Sequence, residues 1–190
     1  MGEPITMAHS NAANASQIKN LISVFELKDG ASRQRARQGL VQVGRDVIPF
    51  LIDYILDHND RVRWEVAKTL EELKDPTAAS ALVMLLGDDV PGIRWLAGEG
   101  LINLKDNALI PLLKGLQVNF HSRFFLEGAH HVLRELEREG LLNNKMLEAL
   151  SALEGSMPTF SVPFAAAEAL QSIVKSRTSG QHRVAERLGD

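Results

Sequence analysis

Cysteine is absent from the 190-residue chain, and this absence excludes disulfides, thiolate metal sites and cysteine nucleophiles. It suits a reducing compartment, so we expect a cytoplasmic protein. Long apolar runs are also missing, since no stretch approaches the roughly 18 residues of a membrane span. The first residues, MGEPITMAHSNAAN, lack the basic start and apolar core of a signal peptide. We therefore expect a soluble protein without membrane contact.

An excess of positive charge is missing as well. The chain has 21 lysines and arginines against 24 aspartates and glutamates, a formal net charge of -3, which gives no general attraction to nucleic acid or anionic membranes. One acid-free stretch, SRQRARQGLVQVGR, contains Arg33, Arg35, Arg37 and Arg45 without interleaved aromatics. We interpret it as a solvated face rather than a phosphate-binding surface, and we expect no nucleic-acid partner.

Catalytic signatures are missing too, because the chain contains no Gly-rich phosphate loop, nucleophile elbow or paired-carboxylate motif. One histidine cluster stands out: Glu127 lies three residues before His130 and four before His131, with His121 nearby. Glu-x-x-His is half of a carboxylate-bridged di-iron motif, but the second half does not occur. We favour a structural or solvated role for the cluster, and we assign no catalytic residue, no metal site and no cofactor.

What the sequence does contain is a repeat. RWEVAKTLEELKD begins at Arg63 and RWLAGEGLINLKD begins at Arg94, an offset of 31 residues. In both copies the apolar residues recur at the three-to-four spacing of one helical face. The intervening segments, PTAASALVMLL and NALIPLLKGL, also carry an apolar stripe and start and stop as helices do. The repeat therefore predicts a unit of two helices.

Looser matches extend the pattern to five such hairpins, predicted at residues 16–44, 46–74, 76–105, 107–139 and 143–176. Pro49 and Pro111 fall inside first helices, where we expect them to kink the helix. A short hairpin buries both faces of its helices only by stacking on its neighbours. We therefore predict an all-α, right-handed, curved α-solenoid over residues 16–176, between a flexible tail at residues 1–15 and a C-terminal tail at residues 177–190.

The second helices resemble HEAT repeats, in particular the short HEAT-like repeats first associated with phycobilisome lyases, whose second helix reads roughly Val-Arg-x-x-Ala-x-x-Ala-Leu-x-x-Leu. The resemblance spans residues 30–176 and implies an armadillo-like superhelix. In such repeats an aspartate ahead of the second helix and an arginine within it form a ladder between neighbouring units. The resemblance gives this role to Asp57, Arg63, Asp88 and Arg94. Leu27 and Gln117 replace the aspartate in the first and fourth units.

Each central copy carries a tryptophan opposite its apolar stripe. With Val66 at the centre of the stripe, Trp64 lies about 200° around the helix, near Lys68. The resemblance places the second helices on the concave surface of the array. The binding face predicted there comprises Trp64, Lys68, Trp95, Glu99, Phe124, His131, Phe164 and Glu168. The alternative is that these rings pack between neighbouring second helices.

An exposed apolar strip edged by charge is a surface that a segment of another protein buries, with the aromatics as hot spots. We therefore expect a non-enzymatic scaffold or adaptor that binds a protein or peptide segment of a partner. The alternative, implied by the resemblance, is a lyase-like factor that attaches or detaches a linear tetrapyrrole on a phycobiliprotein. Proteins of that kind usually work as paired subunits.

Overall fold

The computed structural model describes the backbone of residues 4–187 and the side chains of residues 14–175. Within these residues the chain forms helices and no strand, which confirms the predicted all-α fold. The helices pair into five hairpins: α1 (Pro4–Ser23) with α2 (Gly30–Val43), α3 (Ile48–Ile52) with α4 (Asp60–Leu73), α5 (Ala79–Leu85) with α6 (Pro91–Leu104), α7 (Asp106–Val118) with α8 (Arg123–Arg138), and α9 (Asn144–Glu154) with α10 (Pro158–Arg187).

The predicted tails, residues 1–15 and 177–190, lie almost entirely outside the residues whose side chains are described, so the division of the chain at these points stays a prediction. None of the described helices is long and apolar enough to cross a membrane.

Local side chains set the helix boundaries. Asp29, Asn59, Ser122 and Asn143 each accept hydrogen bonds from backbone N–H groups in the first turn of the helix that follows. At the other end of the second helices the backbone takes a positive φ, at Gly44, Lys74, Lys105 and Gly140. A left-handed residue ends a helix and turns the chain toward the next unit. The recurring Leu-Lys-Asp is therefore a structural stop signal.

The two prolines behave differently from each other. Pro111 lies inside α7, as predicted. Pro49 lies in the first turn of α3, after a 3-10 turn at Gly44–Val47, so the prediction that it kinks the interior of a helix was wrong. In the first turn the missing N–H of proline removes no helical hydrogen bond, which makes this position favourable for it.

The core runs along the length of the array. In the first four hairpins the second helices α2, α4, α6 and α8 pack on one another in one row, and the first helices form a second, less continuous row, in which α1 contacts α3 and α5 contacts α7. The predicted apolar stripes lie between the rows: Val66, Leu70, Ala97 and Leu101 are all fully buried. Since hairpins are joined mainly through their neighbours, the structure is an α-solenoid, as predicted.

The fifth hairpin is reversed with respect to the two rows. Helix α9 packs on α8, in the row of second helices, whereas α10 packs on α9 and on α7. Glu154 at the end of α9 accepts from both His130 and Arg134 of α8, at 3.0 and 2.5 Å, and these contacts join α9 to α8. We predicted that α10 would extend the row of second helices, and that prediction was wrong.

Candidate functional site

Three large aromatic side chains face outward from the second helices. The exposed fractions of Trp64 on α4, Trp95 on α6 and Phe124 on α8 are 37%, 61% and 43%, so these rings are not core residues. They occupy equivalent positions in three consecutive hairpins whose second helices are in contact. We call these three residues the aromatic strip.

Arginines from the preceding second helix lie over two of these rings. The guanidinium carbon of Arg37 is 5.9 Å from the centroid of the Trp64 ring, and that of Arg94 is 4.2 Å from the centroid of Phe124. Cation–π contacts at exposed sites stabilise by about 0.5–1 kcal/mol. The stacking orients the rings while leaving part of each accessible.

The arginines of α2 are engaged with a buried carboxylate. Arg33 Nε and Arg37 Nη1 donate to the two oxygens of Glu65, at 2.9 and 2.6 Å, and the Glu65 side chain is 4% exposed. Our interpretation of this basic stretch as a solvated face was therefore wrong for Arg33 and Arg37, because the two charges neutralise Glu65 and hold α2 against α4. It holds for Arg35, which is exposed.

The predicted ladder residues make contact at one junction. Arg63 donates to the backbone oxygen of Asp57 at 2.7 Å and, through Nε and Nη2, to both carboxylate oxygens of Asp88 in the next unit, at 2.7 and 3.1 Å. The Asp57 carboxylate instead accepts from the backbone N–H of Asn59. Arg94 donates to the backbone oxygen of Asp88 at 2.7 Å, and toward the next unit it covers Phe124 rather than an aspartate.

The remaining residues of the predicted binding face divide into two groups. Lys68 pairs with Glu71 at 2.6 Å, and His131 lies 3.6 Å from Glu99 across α6 and α8, so these polar side chains border the aromatic strip on the same second helices. Phe164 and Glu168 do not, because the reversal of the last hairpin places α10 beside α7. Of the four aromatic side chains predicted on this face, three therefore lie together on the second helices.

The same reversal creates a second candidate site. A cleft of about 570 Å³ opens between the α7–α8 turn, α8 and the α9–α10 turn, and we call it the terminal cleft. Three of its lining residues, His121, Glu127 and His130, belong to the histidine cluster of the sequence. Glu127 pairs with Arg123 at 2.8 Å, and His130 pairs with Glu154. Among the described residues, no group of three or more acidic or histidine side chains is arranged to hold a metal ion.

Comparisons with known proteins bear on the family and the fold of the chain. Residues 18–102 match the family model of HEAT repeats. This part of the chain consists of HEAT repeats. Over 94 residues the chain is 33% identical to phycocyanobilin lyase subunit beta of Nostoc sp. strain PCC 7120. The match covers 49% of this chain and 47% of the relative. The matching segment thus spans about half the length of that relative.

A solved structure agrees on the fold. The complex of CpcE and CpcF of phycocyanin lyase from Nostoc sp. PCC7120 matches with a TM-score of 0.52 and 24% identity, over 82% of this chain and 99% of the matched chain. This likeness is one of fold, and it agrees with the α-solenoid that the sequence predicted. The expectation of a non-enzymatic scaffold is contradicted, because the curated relative is a lyase subunit, and the alternative is the better one.

Two residues that organise these surfaces were not predicted from the sequence. Glu65 and Glu154 organise the arginines and the histidine around them, yet their partners lie 20 to 32 positions away. Spacing along one helix carries no signal for such contacts, because they depend on how hairpins stack.

Proposed function

We propose that the protein is a phycobilin lyase-like factor that attaches or detaches a linear tetrapyrrole on a phycobiliprotein, acting together with a second protein subunit. The observation that carries this proposal is the 33% identity with a phycocyanobilin lyase subunit over 94 residues. The likeness in fold to the CpcE and CpcF complex is compatible with it. The match covers about half of the relative, and that relative is itself named as one subunit of a lyase.

The composition of the chain restricts what such a factor does. A tetrapyrrole held through a thioether bond needs a cysteine thiol, and this chain has no cysteine. The chain therefore binds the tetrapyrrole without a thioether bond, and any thiol that reacts with it belongs to the phycobiliprotein. Its own contribution is to bind and orient the two reactants, which lowers the entropic part of the barrier.

The aromatic strip has features suited to binding the phycobiliprotein, which is the protein reactant. Partly exposed tryptophans bordered by charges, here Lys68 and Glu99, have the composition of hot spots at protein interfaces. In this proposal the strip binds the surface of the phycobiliprotein. Arg37 and Arg94, which lie over Trp64 and Phe124, help to orient these two rings.

The first test is a titration with phycocyanobilin. We expect the purified chain to change the visible absorbance of the pigment, because a bound linear tetrapyrrole is held in fewer conformations than a free one. Apo-phycocyanin and the second subunit are then added, and pigment that remains on the phycocyanin band after denaturing electrophoresis measures attachment. A HEAT-repeat protein unrelated to lyases serves as the control. An absorbance spectrum equal to the sum of the separate components would contradict the proposal.

A second prediction concerns the strip. The double substitution Trp64→Ala with Trp95→Ala should leave the melting temperature within a few degrees of the original, because both rings are partly exposed. Binding of apo-phycocyanin should weaken by about 2 kcal/mol or more, as hot-spot truncations do. The measurements are thermal unfolding followed by circular dichroism and a pull-down with immobilised apo-phycocyanin.

The control for the strip is Met84→Ala, which removes another exposed apolar side chain from the row of first helices. It should preserve both stability and binding. Fluorescence adds an independent check, since Trp64 and Trp95 are the two tryptophans of the chain. Emission that iodide does not quench would place both rings inside and remove the strip from the proposal.

A further inference from the structure

We propose that the terminal cleft, rather than the aromatic strip, binds the tetrapyrrole, an inference that rests on the proposed function. A linear tetrapyrrole is a long conjugated molecule with apolar faces, a row of pyrrole N–H groups and two propionate carboxylates. Its site needs an apolar wall, acceptors for N–H groups and cations for the carboxylates. The terminal cleft combines these three elements.

The size and the apolar wall of the cleft are suitable. Its volume of about 570 Å³ lies within the range of roughly 300–1,000 Å³ in which small-molecule sites fall. Leu126 of α8 and Leu153 of α9 both line it, and Phe120 and Pro158 extend the apolar surface at the two turns. The wall exists because the reversed hairpin brings the α9–α10 turn beside α8.

Two carboxylates in the cleft are placed to accept N–H groups. The hydrogen bond with His130 lowers the pKa of Glu154, against the opposing effect of burial and with help from Arg134, so Glu154 is ionised at neutral pH. Glu127 lies on the same wall. Hydrogen bonds to an ionised acceptor are stronger than neutral ones.

Arg123 is the cation best placed for a propionate. Its side chain is 88% exposed and pairs with Glu127, which is 55% exposed, and such surface pairs contribute only about 0–1 kcal/mol. Exchanging Glu127 for a ligand carboxylate is therefore inexpensive, and a guanidinium binds a carboxylate through two parallel hydrogen bonds. His121, whose ring centroid is 3.9 Å from that of Phe120, lines the same cleft.

The cations near the aromatic strip are less suitable. Arg37 is 12% exposed and bound to Glu65 and Glu72, and Arg94 donates to backbone oxygens while covering Phe124. Releasing Arg37 for a ligand would leave Glu65 buried with one partner fewer, which is unfavourable. Lys68, which borders the strip, is 28% exposed and pairs with Glu71, whereas Arg123 is 88% exposed. The strip therefore has the rings for a pigment, but the cations beside them are less accessible to its carboxylates than Arg123 is.

The test compares dissociation constants for phycocyanobilin, measured by absorbance titration. Arg123→Glu should raise the dissociation constant at least about tenfold, because it replaces attraction to a propionate with repulsion. Thr159→Trp should do the same by filling the cleft from an exposed position. Arg35→Glu, the matched charge reversal at an exposed arginine of α2, should leave the constant within about twofold, as should the Trp64 and Trp95 double variant.

Thermal unfolding within a few degrees of the original chain checks that each variant is folded. If the original chain binds the pigment and Arg123→Glu and Thr159→Trp bind it equally well, the cleft assignment is wrong while the proposed function stands. Loss of binding only in the Trp64→Ala and Trp95→Ala double variant would likewise contradict the cleft assignment and assign the pigment to the aromatic strip. No spectral change with the original chain would overturn the proposed function and, with it, this assignment.

Discussion

Replacing Leu101 with alanine is expected to lower the free energy of unfolding by about 2–5 kcal/mol. Leu101 is fully buried in α6, the helix that contacts α4, α5 and α8 and so joins the second, third and fourth hairpins. Removing its branched end leaves a cavity in close-packed surroundings, and the cost includes both lost burial and incomplete relaxation. In an array stabilised by contacts between neighbouring hairpins, a destabilised third hairpin also weakens the packing of the second and fourth hairpins on either side of it.

Urea denaturation followed by circular dichroism measures this effect. Leu70→Ala, at the equivalent buried position of α4, should give a loss in the same range. Met84→Ala is the matched control, because Met84 is 52% exposed, and its loss should stay below about 0.5 kcal/mol. Losses that small for both leucines would show that the apolar stripe of the repeats has been wrongly assigned.

The fold was predictable because its main determinants are local. The spacing of apolar residues in α4 and α6 marks the buried face, and the recurring Leu-Lys-Asp marks the point where the backbone turns at Lys74 and Lys105. Each hairpin buries its stripe against the next, so a repeated stripe implies a repeated stack. These relations need no knowledge of distant contacts.

The reversal of the last hairpin could not be predicted in this way. The buried residues of α10, such as Ala166, show that one face is covered, but they do not show whether α8 or α7 covers it. The choice depends on contacts such as that of Glu154 with His130, which join residues 24 positions apart. The terminal cleft follows from this choice, and for that reason it was missing from the predicted site.

The function was harder still to predict. A solenoid surface with exposed aromatics suits a scaffold and a lyase subunit equally, because neither reading requires a catalytic motif in the chain. Residue patterns supported a binding face, and the resemblance supplied the lyase alternative. The curated relative favours the lyase alternative, which the residues themselves could not distinguish from a scaffold.

The junction between the second and third hairpins should depend on the charge of Asp88. Its side chain is 5% exposed and accepts two hydrogen bonds from Arg63, which is 12% exposed, and a third from the backbone N–H of Val90. Asp88→Asn leaves Arg63 with the exposed carboxylate of Asp89 and the backbone oxygen of Asp57. Breaking a buried pair costs about 3–5 kcal/mol, and we expect the lower end because these two acceptors remain.

This loss should depend on pH in a defined direction. Burial alone raises the pKa of Asp88, but the hydrogen bonds from Arg63 and Val90 outweigh it and hold the pKa below its usual value. The stabilisation is therefore complete above the unfolded value of about 3.9 and disappears as the pH falls through the lower folded value. Urea denaturation of Asp88→Asn and the original chain should show a large difference at neutral pH that shrinks below about pH 4.

Asp89→Asn is the matched control for this prediction, because its carboxylate also pairs with Arg63 but is 81% exposed. Its loss should be about 0–1 kcal/mol at neutral pH, as for other surface pairs. A loss in Asp88→Asn that stays constant from neutral to acidic pH would assign the effect to hydrogen-bond geometry instead of charge. A loss equal to that of Asp89→Asn would show that Arg63 does not need the buried partner, and the charged link between these two hairpins would then contribute little to the array.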